Sequence, residues 1–235
     1  MAKMTVLEMT QNILAAMDSD NVNSIDDTQE ATDVAEFIKE AYFSILSESD
    51  DWPFLRTLSA LDGLGDTDNP TKMEIPEDVN KIKWVKYNKK DVTYIKPKDF
   101  KDMLDLRVQS DNVDENGFAT NQDPVYWTTY DDHYVIFDGY NSDVESTLTT
   151  GNSTIYCAVA PAWTHDNEYT PNLPEKFFPF LLAEAKASCF LNIKQQGNNR
   201  EERKANRGRN VMATHARKEE NGDTKTNKNI DYGRK

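Results

Sequence analysis

The hydrophobic period of this chain changes twice along its length, and that change most restricts what it can fold into. Residues 5–50 carry apolar side chains at helical spacing, residues 73–160 alternate with a period of two, and residues 174–218 return to helical spacing. Two helical segments so far apart in sequence are most simply read as parts of one unit with the strand-rich middle inserted between them. The expected fold class is α+β: a helical bundle from N- and C-terminal helices, with an inserted antiparallel β-rich subdomain and an extended C-terminal arm. The expected domains are 1–58 for the N-terminal helical hairpin, 59–173 for the insert, 174–218 for the C-terminal helices and 219–235 for a polar tail.

The first helix starts at Thr5, because Thr5-Val6-Leu7-Glu8 has the spacing of a capping box. Val6, Met9, Ile13 and Met17 then form one apolar stripe. After a short polar connection, Asp26 or Asp27 is expected to cap a second helix with Ala31, Val34, Ile38, Ala41, Tyr42 and Ile45 on one face. Pro53 forces the chain out of the helix, which leaves Trp52 and Phe54 as a lid over the end of the helical unit, with an exposed interface anchor as the alternative role for Trp52.

In the middle, Ile82 to Tyr87 and Val92 to Ile95 read as strands joined at Asn88, and Pro97–Leu106 as a short helix. Val125–Tyr130 and Tyr134–Phe137 flank a tight hairpin at Asp131-Asp132-His133, with further strands at Thr147–Thr149 and Thr154–Ala160. The segments 61–71 and 111–121 are polar enough to be loops, the second of them mobile. A third helix opens at Pro174 and is apolar on several faces, as suits burial between neighbours. Beyond Gly197 comes a basic, helix-prone segment to Lys218, and residues 219–235 are too polar to fold alone.

Charge is the second strong signal. The chain carries a net charge of -14, yet residues 194–218 hold eight Lys or Arg against two Glu, so that segment is +6 and the remainder is -20. The cations Arg200, Arg203, Lys204, Arg207, Arg209, Arg217 and Lys218 suit docking onto an acidic partner or a neighbouring copy. They also suit phosphate contact or a merely solvated helix face. No nucleic-acid recognition fold accompanies them.

No catalytic centre is expected. Asp26-Asp27, Asp50-Asp51 and Asp131-Asp132 are pairs that an acid-rich chain produces by chance, and His133, His165 and His215 fall in three separate elements. No glycine-rich phosphate loop is present, and the segment 111–117 lacks the ligand spacing of a calcium loop. Cys157 and Cys189 sit in apolar sequence without metal-ligand spacing and read as buried thiols. Neither metal nor cofactor is expected. Glu8, Gln11 and Asp18 break any apolar run behind Met1, so no secretory leader is expected. No stretch reaches the roughly 20 apolar residues of a membrane span.

The order of elements resembles the podovirus head-tail adaptor proteins of the tail tubular protein A type. The residues carrying the resemblance are Val22 to Asp27 between the first helices, Trp52-Pro53-Phe54 after them, Ile75-Pro76-Glu77-Asp78-Val79 leading into strands, and Ala213-Thr214-His215-Ala216-Arg217 near the end. The resemblance implies a non-enzymatic virion component, made in the host cytoplasm and placed at the head-tail junction. Such proteins form a dodecameric ring that joins the portal protein to the tail nozzle or tail tube, and packaged DNA passes through the channel without specific binding. The bundle is then carried to residues 5–58 and 174–218, and the portal-reaching arm to residues 200–235. Ile230 and Tyr232 join the seven cations as the expected portal or subunit interface. The alternatives from other classes are a cell-wall hydrolase of the virion, with carboxylates as acid and base, and a nucleic-acid-binding protein using the basic segment.

Overall fold

A computed structural model describes residues 3–49, 51–64, 68–141 and 153–220, with side chains as far as Thr214. The chain divides into two compact units, Met1–Leu55 with Pro161–Lys235, and Arg56–Ala160.

In the first unit, helix α1 (Val6–Ala16) begins at the expected capping box: the Glu8 amide donates to Thr5 Oγ1 at 3.2 Å, and the Thr5 amide to Glu8 Oε2 at 2.9 Å. Two further α1 amides are satisfied from far along the chain, Val6 by the Tyr169 carbonyl at 2.9 Å and Leu7 by that of Asn167 at 3.3 Å. Helix α2 (Gln29–Leu46) is capped by Thr28, whose hydroxyl accepts from the Ala31 amide at 3.1 Å. The expected Asp27 cap is displaced because that carboxylate closes the preceding turn, taking the Asn23 and Ser24 amides at 2.7 and 2.8 Å. Trp52 is buried and donates its indole N–H to the Leu46 carbonyl at 2.9 Å, so it closes the C-terminus of α2 with a hydrogen bond as well as with area.

Helix α4 (Phe178–Asn192) starts later than Pro174, which precedes a short 3₁₀ turn at Glu175–Phe177. It packs against α1 and α2 and also against α5 (Asn199–Glu220), which accounts for its apolar residues on several faces. The chain leaves the helical conformation between α4 and α5, so no single helix runs through Gly197.

In the second unit, β1 (Arg56–Ala60), β2 (Asp62–Gly63), β3 (Lys72–Glu74), β4 (Val79–Tyr87), β5 (Lys90–Tyr94), β7 (Tyr126–Thr128), β8 (Tyr134–Phe137) and β10 (Ser153–Val159) make one sheet in the order β1-β10-β4-β5-β7-β8-β3-β2. Its two outermost strands are consecutive in the chain and separated by the single buried residue Leu61, so the sheet must curl until its edges almost meet. Leu61, Met73, Val85, Tyr87, Trp127 and Phe137 are among the side chains that fill the interior. Asn88 and Lys89, both at positive φ, make the β4–β5 turn. Helix α3 (Pro97–Arg107) crosses between β5 and β7 and allows them to pair in parallel. A small second sheet pairs β6 (Ala119–Thr120) with β9 (Gly139–Tyr140).

The expected fold class is therefore corrected. The chain is not a helical bundle with an antiparallel insert; its largest element is a nearly closed, barrel-like mixed sheet of eight strands. Strands of two or three residues such as β2 and β3 carry too little alternation to be seen in sequence, and periodicity does not report strand direction. Residues 199–220 are helical, as the basic, helix-prone segment suggested, and the expected polar tail beyond Glu220 lies outside the described residues. The segment 111–121 is tied down by Asp114, which accepts the Asn116 and Phe118 amides at 2.9 Å each. Gly117 at φ +85° lies so close to α3 that a Cβ would sit 2.2 Å from the Leu104 carbonyl oxygen. The strand expected at Thr147–Thr149 lies outside the described residues.

A cationic face on the C-terminal helix as the candidate interface

Helix α5 has two faces. Glu201, Ala205, Gly208 and Met212 recur at helical spacing, and the last three are buried. At Gly208 the two helices touch: a Cβ there would meet the Phe180 ring of α4 at 2.4 Å. No larger residue fits without pushing the helices apart, so Gly208 sets how α5 lies on α4.

The seven cations singled out from sequence divide by where this packing puts them. Arg209 turns inward: its guanidinium pairs with Glu184 of α4, and its Nε lies 3.7 Å from Glu48 Oε1. It is spent within the subunit. Lys204 pairs with Glu201 one turn back at 2.6 Å. Beside that pair stands Lys186 of α4, whose pKa burial pushes below the usual lysine value, with Glu201 opposing the shift and Lys204 adding to it.

Arg200, Arg203 and Arg207 are different. All three are exposed, they follow one another at three- and four-residue spacing along one stripe of α5, and none makes an ion pair among the described residues. The α5 backbone carries Arg217 and Lys218 about three turns beyond Arg207, where side chains are not described. Ile230 and Tyr232 lie outside the described residues. The sequence therefore located the cationic helix, but not which cations are consumed internally. Glu184, Glu48 and Gly208 decide that, and only the glycine breaking a helical pattern was a signal that could have been read.

The other candidates resolve in place. His165 Nε2 is 3.2 Å from Asp26 Oδ1, and His133 is exposed in the β7–β8 turn. The side chain of His215 lies beyond the described ones. Both cysteines are buried free thiols; burial raises the pKa of each, that of Cys189 to about 12. Among the described residues no group of three His, Cys, Asp or Glu stands close enough to hold a metal ion, and no helix is long and apolar enough to cross a membrane.

No protein-family model matches the chain, and no curated protein sequence matches it.

Proposed function

We propose that this chain is a structural virion protein of the podovirus head-tail adaptor type, a ring-forming subunit that joins the portal to the tail around the DNA channel. The observation that carries the reading is the stripe of Arg200, Arg203 and Arg207. Three exposed guanidiniums without an ion pair among the described residues, on a chain of net charge -14, favour an acidic surface supplied from outside. The inward-turned Arg209 and the close Gly208–Phe180 contact hold the helix that presents them. The surplus of carboxylates suits a channel that passes DNA without gripping it, since like charges keep phosphates off the wall. In this reading the subunit is made in the host cytoplasm, works at the head-tail junction of the virion, and needs neither cofactor nor catalytic residue.

The test is electron microscopy of the full-length protein mixed with purified portal, for the native chain and for the triple reversal R200E/R203E/R207E. Uniform rings seated on portal with the native chain, lost in the variant, support the proposal. Absence of any ring, or undiminished seating of the variant, overturns it.

The same arginines favour a second reading, since guanidinium matches phosphate equally well. A nucleic-acid-binding protein would hold DNA with an affinity that drops steeply as salt rises and that the triple reversal removes. Salt-dependent DNA binding together with failure to engage portal would select it.

A further inference from the structure

Strand β4 pairs with β10 in a register that slips twice. Tyr156 faces Trp84, but Cys157 faces Ile82, so Lys83 is an extra residue; Ala158 faces Lys81, but Val159 faces Val79, so Asn80 is another. Two bulges within five residues re-aim the strand, as bulges at barrel rims do when they bring a side chain to a site.

The bulged half of β4 lines a cavity of about 330 Å³ in the β unit. On the other edge of β4, pairing with β5 stops at Val85–Val92, and the cavity is lined by Val79 to Lys83 of the unpaired half. Val79 and Ile82 pack on the interior of the barrel and Trp127 is buried in it, so these three give the cavity an apolar side. Tyr94, half exposed, meets Trp127 edge to face at 5.0 Å, and the two rings form a corner. The polar side is supplied by the bulge residues Asn80 and Lys83 together with Lys81, against the single carboxylate Asp132. Lys81 is exposed and has no ion pair among the described residues. The surrounding segment, Lys81 to Lys101, holds eight lysines against Asp91 and Asp99, the reverse of the charge of the whole chain.

We propose that this cavity is a binding site for a small aromatic anion: a flat ring that lies in the Trp127–Tyr94 corner and bears a carboxylate, sulfonate or phosphate held by Lys81. An apolar pocket with a few convergent polar groups is the usual form of a small-ligand site, and barrel mouths are among its usual places. The ring gains burial and edge contacts, and the anion gains the Lys81 cation, which stands between the two bulges. The site lies in a different unit from α5 and does not depend on the adaptor reading.

The experiment is calorimetric titration of the full-length protein with 1-naphthoate and with its neutral counterpart 1-naphthamide. The expected result is one naphthoate per chain, bound at least about tenfold more tightly than the amide. Lys81→Glu, at an exposed position that leaves folding intact, should erase that preference, and Asn80→Trp should fill the cavity and block both probes. Circular dichroism confirms that each variant is folded, and Lys81→Glu alone decides if Asn80→Trp is not. No heat with either probe at millimolar concentration, equal affinity for acid and amide, or a Lys81→Glu protein that still prefers the acid would each overturn the proposal.

Discussion

Arg107, at the end of α3, donates from Nη1 to Asp138 Oδ2 at 2.9 Å, and that carboxylate is almost wholly buried. Its other oxygen accepts the amides of Val125 and Tyr126, each at 2.8 Å. One aspartate between β8 and β9 thus joins the end of the crossover helix to the start of β7, the strand that must run parallel to β5. Removing Arg107 leaves a buried carboxylate short of a donor. We expect Arg107→Ala to cost ~2 kcal/mol, within the range for hydrogen bonds to charged groups and discounted for the partial exposure of the arginine. Urea unfolding checks this, and a midpoint equal to that of the native chain would show that the pair is ornamental.

At Gly208 the expected effect is steric. Gly208→Val drives methyl groups into the Phe180 ring, which cannot retreat without moving α4. Overpacking of this kind costs about 1–3 kcal/mol, and here it should be relieved by release of α5. Limited proteolysis reads the result: cleavage between α4 and α5 should accelerate in the variant, and unchanged cleavage with an unchanged melting temperature would contradict the contact.

The caps of α2 separate two neighbouring residues. Thr28→Ala removes the acceptor for the Ala31 amide and should cost about 1 kcal/mol of stability. Thr28→Ser should restore most of it. If Thr28→Ala were silent in thermal melts, Thr28 would not be the cap.

Alkaline pH tests the burial of Cys189. Its thiol ionises near 9.0 when free and is pushed up to about 12 by burial, so the unfolded chain loses this proton first. The stabilisation is fully present below about pH 9 and is lost as pH rises toward 12, by up to about 1.4 kcal/mol per pH unit in that window. Burial also raises the Tyr42 pKa, which adds a loss of the same sign from about pH 10 upward. Cys189→Ala should therefore flatten the alkaline fall in stability measured by urea unfolding. Equal slopes for the variant and the native chain would place the thiol in contact with water.

Local features were legible because their causes are local. Thr5 and Glu8 lie one turn apart and satisfy each other's amides wherever the helix goes, and Pro97 starts α3 because its fixed φ and missing N–H suit a first turn. Asn88 marks the β4–β5 turn for a similar reason, tolerating positive φ at small cost. Nothing local distinguishes Arg209 from Arg207, two residues apart on one helix. The first is drawn to Glu184 and the second faces outward only because Gly208 lets α5 approach Phe180.

Read alone, the chain established the helical segments and the longer strands from β4 onward, the cationic C-terminal helix and the apolar settings of both cysteines, all of which follow from short-range periodicity and composition. Assembly in three dimensions settled the rest: the parallel β5–β7 pair, the near-closure of the sheet around Leu61, the bulges that bring Asn80 and Lys83 to one cavity, and the division of the arginines into spent and available. Each of these is a pairing between residues distant in the chain, chosen by packing and by the need to satisfy buried polar groups, and neither leaves a periodic trace in the order of the amino acids.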